Sequence, residues 1–101
     1  MKKNNLFICM LIDILDCAEK ENKAILENKV SQWDPEYIQK IVIPEISELL
    51  SFANRGIIYF KYGKKQRLLE STHLITDSLN DLYNTRLGKG IINLQNYYNS
   101  L

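Results

Sequence analysis

Apolar residues along this chain recur at intervals of three and four, and neither sustained alternation nor an internal repeat appears. That spacing gathers them on one side of an α-helix. Asn4 or Asn5 can cap a first helix over 5–21, since an Asn side chain accepts a hydrogen bond from a first-turn N–H. Phe7, Met10, Leu11, Ile14, Cys17 and Ala18 then form its stripe. A second helical region, 22–43, holds Ile25, Leu26, Val30 and Trp33. The run "WDPEY" interrupts it: Asp34 is a good N-cap and Pro35 suits the first helical position, so the region kinks there or splits in two. Pro44 lacks an amide hydrogen and crowds the preceding turn, which marks the start of a third helix over 44–62. Its stripe is Ile46, Leu49, Leu50, Ala53, Ile57 and Phe60, and Gly63 is its stop. A fourth helix, 65–86, shows Leu68, Thr72, Ile75, Leu79 and Leu82 on one face, with Gly88-Lys89-Gly90 as a hinge after it. Residues 87–101 follow as a C-terminal arm, in which Ile91, Leu94, Tyr98 and Leu101 are helically spaced: a short docked turn or an irregular segment. Short connections favour antiparallel neighbours, so the expected fold is all-α, an antiparallel up-down four-helix bundle with a short C-terminal arm.

A chain of 101 residues is one domain with one modest core, and 46% hydrophobic with 25% charged residues argues against disorder. The net charge of +1 hides a split: residues 1–50 carry six Lys and nine acids (−3), residues 51–101 seven Lys or Arg and three acids (+4). That excess is weak for a grip on nucleic acid, which needs several phosphates neutralised at once. Cys9 and Cys17, eight apart, would stand ~12 Å apart along a helix axis, beyond disulfide reach. They suit free thiols in a reducing cytoplasm. The opening "MKKNNLFICMLIDIL" resembles a secretory signal. Its apolar run Leu6–Ile12 is nevertheless seven residues long, ends at Asp13 and precedes no small-residue cleavage site. The chain is expected to remain inside the cell.

Residues for chemistry are sparse, and no enzyme, metal or cofactor is expected. The single histidine, His73, has Asp77 four residues on and Thr72 beside it. Adjacent helical side chains diverge by about 100°, so Thr72 points away from the imidazole, and a surface His73–Asp77 pair is the plainer reading. Two Cys and one His do not make four ligands at zinc-site spacing. "GKG" at 88–90 has no preceding strand to make it a phosphate loop. The pairs Asp13/Asp16 and Glu45/Glu48 read as solvated helix faces. The remaining feature is "NRGIIYFKYGKKQR", 54–67, where Arg55, Lys61, Lys64, Lys65 and Arg67 crowd around Tyr59, Phe60 and Tyr62. It reads as a solvated helix end or as a contact with a partner or an anionic membrane surface, which attracts each exposed cation by ~1 kcal/mol. Nucleic-acid binding is the weakest option, because the cations gather at helix ends and bring no polar recognition helix.

Residues, spacing and length together resemble the immunity proteins of class IIa (pediocin-like) bacteriocins. The "MKKN" start, the size, the Pro-marked "IPEISELLSFANRGIIYFKY" (43–62), and the "YGKKQRLLE…LITDSLNDLYNTRLGKGIINL" run (62–94) carry the likeness, which is strongest from Ile43 to Leu94. "WDPEY" inside the second helical region departs from it. The resemblance implies a cytoplasmic antiparallel four-helix bundle that protects a producing cell without destroying the peptide. Such a protein associates from inside with the membrane subunits of the mannose phosphotransferase permease once a bacteriocin has engaged them, and blocks the lethal opening. The C-terminal half would decide which bacteriocin is recognised. Candidate partner-binding residues are therefore Arg55, Lys61, Lys64, Lys65 and Arg67 at the joint. Arg86 precedes the glycine break and Lys89 lies within it, and Tyr97 and Tyr98 lie in the arm. Contact with the inner membrane leaflet fits the cations. A generic helical adaptor or antitoxin-like binder of a soluble partner is the alternative.

Overall fold

The computed structural model describes residues 2–57, 69–77 and 81–101. Its first helix, α1, spans Lys2–Leu26 and runs past the expected end at residue 21. Nothing at Glu21-Asn22 stops it, and Ala24, Ile25 and Leu26 extend it. The stop is Asn28, whose φ of 62° is left-handed. The Asn28 N–H bonds to the Ile25 carbonyl and the Lys29 N–H to the Ala24 carbonyl, so the last carbonyls find donors. The separate second helix over 22–43 is thus corrected: its first five residues belong to α1, and 27–34 form a loop.

Trp33 anchors that loop. It is only 3% exposed, and its indole N–H donates to Thr85 Oγ1 at 2.9 Å. Its backbone N–H donates to Ser31 Oγ, and the Ser31 hydroxyl donates in turn to the Glu21 carboxylate on α1. Asp34 then caps the next helix as expected, accepting from the Glu36 N–H at 2.9 Å, with Pro35 in the first position.

From there α2 (Pro35–Tyr37), a π-helical turn (Ile38–Val42) and α3 (Ile43–Asn54) run end to end. α3 thus opens with Pro44 in its first turn, as expected, but no break precedes it: the helical path runs on from the π-helical turn. A proline offers no N–H and its ring crowds the carbonyl four residues back. The wider turn immediately before it takes up the conflict, with the Ile43 N–H reaching the Ile38 carbonyl. α3 ends at Arg55-Gly56, well before the expected stop at Gly63. Gly56 has φ 79°, and the Gly56 and Ile57 N–H groups bond to the Ala53 and Phe52 carbonyls. Ile57 leaves the stripe and is 47% exposed. Phe60 and Gly63 lie outside the described residues.

The expected helix over 65–86 is also corrected. Within it, α4 spans only Glu70–Thr76, Asp81 is left-handed at φ 53°, Leu82–Asn84 form a 3₁₀ turn, and Thr85 is extended. The hinge and arm expected after it are a helix, α5, Arg86–Asn99. Thr85 caps it by accepting from the Gly88 N–H at 2.9 Å, so Gly88 and Gly90 sit in its first turns and stop nothing. Gly88 is there for space: a Cβ on it would lie 1.9 Å from the Leu82 carbonyl oxygen.

α1 packs against both α3 and α5. It runs antiparallel to α5, since Phe7 stacks on Tyr98 with centroids 5.8 Å apart while Ile14 faces Gly90. Phe7, Leu11, Ile14 and Ala18 of α1 meet Ile46, Leu49 and Ala53 of α3 and Leu87, Ile91, Leu94 and Tyr98 of α5 in one core. The described residues contain no strand, and the all-α class holds.

The two glycines of α5 should respond oppositely to alanine. Gly88→Ala drives a Cβ into a backbone carbonyl and should cost about 1–3 kcal/mol, as overpacking does. Gly90→Ala places its Cβ 3.6 Å from Ile14, an ordinary contact, and should be neutral or stabilise by up to about 1 kcal/mol through helix propensity. Thermal unfolding reads both, at ~4–8 °C per kcal/mol for a domain of this size.

Candidate functional site

Between α1 and the first turns of α5 lies a groove of about 590 Å³. Helical spacing builds each wall. α1 contributes Asp13, Asp16, Lys20 and Glu21 along one edge, and α5 contributes Arg86, Lys89 and Asn93. Buried Ile14 and Leu87 form the bottom, with the half-buried thiol of Cys17 beside them.

The charges are of both signs and only partly matched. Asp16 pairs with Lys20 at 2.9 Å, both well exposed, so the pair adds little to stability. Glu21 takes the Ser31 hydroxyl. Asp13, Arg86 and Lys89 make no salt bridge among the described residues. Burial pushes the Cys17 thiol above its ordinary pKa; the Arg86 guanidinium opposes the rise, and Glu21 and Asp16 add to it. Cys17 therefore holds its proton at neutral pH and is a poor nucleophile. Cys9 is exposed on the outer side of the same helix, also as a free thiol. Among the described residues no group of three His, Cys, Asp or Glu side chains could hold a metal ion.

The described candidate partner-binding residues, Arg55, Arg86, Lys89, Tyr97 and Tyr98, do not form one patch. Arg55 closes α3 in solvent, its guanidinium 4.7 Å above the Phe52 ring. Arg86 and Lys89 are exposed on the groove. A bond from Gln39 to Asn22 sets the start of α2–α3 beside the end of α1, where Arg86 also lies. Arg55 is sixteen residues further on, ~24 Å along the helix axis. Lys61, Lys64, Lys65 and Arg67 lie outside the described residues. Tyr97 is half-buried and stacks on Phe7 at 6.4 Å. Tyr98 is 0% exposed and belongs to the core, so it has no surface to offer a partner.

The expected surface pair of His73 with Asp77 forms, and Thr72 points elsewhere. The Thr72 hydroxyl donates to buried Gln95 Oε1 at 2.9 Å, while His73 Nε2 sits 2.7 Å from Asp77 in solvent. Glu45 is not a solvated face residue. Its carboxylate accepts the Glu70 N–H, the Ser71 N–H and the Ser71 hydroxyl, and so caps α4 from another helix. Gln95 accepts the Leu69 N–H at 2.8 Å in the same way. These roles have no local signature. The groove had one: Leu87, Ile91, Leu94 and Tyr98 keep helical spacing through both glycines, which sets Arg86 and Lys89 on a regular helix.

No family model matches the chain, and neither does any curated protein or solved structure.

The raised Cys17 pKa sets a direction for stability against pH. An unfolded thiol titrates near 9.0, and the folded one titrates higher. Above 9.0 the unfolded chain has lost a proton that the folded chain keeps, so this contribution is intact below that pH and is lost as pH climbs through the folded value. Urea unfolding from about pH 8 to pH 10.5 should show the wild type losing stability faster than Cys17→Ala. Parallel curves would mean that folding leaves the thiol unperturbed.

Proposed function

We propose that this protein is a bacteriocin immunity protein of the class IIa type: a non-enzymatic binder acting from the cytoplasmic side. It engages the membrane subunits of the mannose phosphotransferase permease when a bacteriocin occupies them, and blocks the opening that kills. The observation that carries this reading is the sequence pattern from Ile43 to Leu94. An all-α chain with Arg55, Arg86 and Lys89 in solvent supports it. The antiparallel up-down four-helix bundle belongs to the same proposal, with α1, the α2–α3 rod, α4 and α5 as its members.

In this reading recognition falls on the edge of α5 beside α1, where Arg86, Lys89 and half-buried Tyr97 lie. Exposed cations near an anionic inner leaflet gain ~1 kcal/mol each, enough to bias orientation and too little to anchor. No described helix is long and apolar enough to cross a membrane.

Expression in a sensitive strain should raise survival against a class IIa peptide while the peptide persists in the medium. The triple variant Arg55→Gln, Arg86→Gln, Lys89→Gln should lose about tenfold or more of that protection, since each removed charge contact is worth roughly 0.5–1.5 kcal/mol, with its unfolding temperature nearly unchanged. Unaltered killing across a panel of such peptides would remove the proposal.

A further inference from the structure

We propose that the α1–α5 groove is a binding site for a short extended peptide segment carrying both a basic and an acidic side chain, whatever cellular role the protein has. The charge arrangement points to this ligand class. An anion alone would face an α1 edge that is acidic on balance, Asp13, Asp16 and Glu21 against Lys20, and a cation alone would face Arg86 and Lys89. A ligand with both signs can set its ammonium or guanidinium against α1 and its carboxylate against α5.

Among the described residues the two walls form no salt bridge with each other across the groove. The helices already meet at Gly90, where even an added Cβ would stand 3.6 Å from the Ile14 side chain. Asp13, Arg86 and Lys89 keep no salt bridge among the described residues. Size selects a peptide over a single amino acid. Asp13 to Glu21 is eight residues of helix, ~12 Å, which matches three or four residues of extended chain at about 3.3–3.6 Å each. The volume of about 590 Å³ falls within the roughly 300–1,000 Å³ usual for ligand sites. Ile14 and Leu87 give the aliphatic stems of such a ligand an apolar seat.

Cys17 in the groove and Cys9 outside it supply a reporter and an internal control. The full chain is titrated with acetyl-Lys-Gly-Gly-Glu-amide and, separately, with acetyl-Gln-Gly-Gly-Gln-amide. Iodoacetamide alkylation of each cysteine is followed by peptide mapping, and the amide resonances of Lys89, Gly90 and Asn93 by NMR. At about ten times its Kd the charged peptide should slow Cys17 alkylation about tenfold, because only free protein reacts. Cys9 should be unaffected, and the three amides should shift saturably. The neutral peptide should do neither, and Arg86→Gln with Lys89→Gln, both at exposed positions, should abolish both effects. Absent protection and shifts, equal effects from the neutral peptide, or an unchanged response in the double variant would each overturn the proposal. None of these results depends on the immunity assay.

Discussion

The hydroxyl of Thr85 holds together the corner on which the candidate site stands. It donates to the Leu82 carbonyl at 2.6 Å and accepts from the Gly88 N–H and the Trp33 indole N–H, each at 2.9 Å. That is the full capacity of a hydroxyl, one proton and two lone pairs. Three segments are thereby locked: the 3₁₀ turn and the start of α5, which follow each other in the chain, and the distant loop after α1. The lock works only because residue 88 has no side chain, which lets the Leu82 carbonyl lie against the α5 backbone. With the start of α5 fixed, the angular positions of Arg86 and Lys89 follow from helix geometry, and so does the groove they share with α1.

A second polar device sets α4. Seven residues are too few to hold a helix alone, and its N-cap, Leu69, has no side-chain oxygen to satisfy the first turn. The N–H groups of Leu69, Glu70 and Ser71 are instead taken by Gln95 from α5 and Glu45 from α3. Gln95 is itself buried, and its amide N–H donates to Asn99 Oδ1 at 2.8 Å. Buried polar groups are costly when unmatched and specifying when matched. α4 is therefore held in one register between its neighbours, where apolar contacts alone would allow several.

What was legible in the sequence was local. The α1 stripe of Phe7, Leu11, Ile14 and Ala18 is the buried one. Asp34 and Pro35 start a helix because cap chemistry needs only adjacent residues. Pro44 marks the start of α3, but the chain does not break there, because a wider turn of backbone leads into it. The errors arose where a local preference met a tertiary demand. Gly63 reads as the stop of the third helix, though Gly56, seven residues earlier, supplies the left-handed conformation. Gly88 and Gly90 read as a hinge because glycine weakens helices; at Gly88 the reason is a carbonyl six positions upstream, which no local pattern reveals. The site divides similarly. Arg86 and Lys89 stand out by charge; Asp13 and Asp16 read as a solvated face and are exposed, and Cys17 reads as core and is half-buried. Only the crossing of α1 with α5 makes them one groove.

The conversion of the expected arm into a packed helix changes the energetics of any recognition it performs. A flexible arm would be ordered on binding, at roughly 0.5–1.5 kcal/mol for each rotamer-rich side chain immobilised, besides its backbone. α5 is ordered beforehand by Leu87, Ile91, Leu94 and Tyr98, which are buried against the rest of the core. Tyr98, rather than touching a partner, stacks on Phe7 and fixes the far end of the helix. The exposed residues of α5 are thus held on a frame whose two ends are secured separately, by Thr85 at one and by the Phe7–Tyr98 stack at the other. If α5 performs the proposed recognition, specificity on such a frame would reside in the side chains at Arg86, Lys89, Asn93 and Tyr97, and not in how a tail folds.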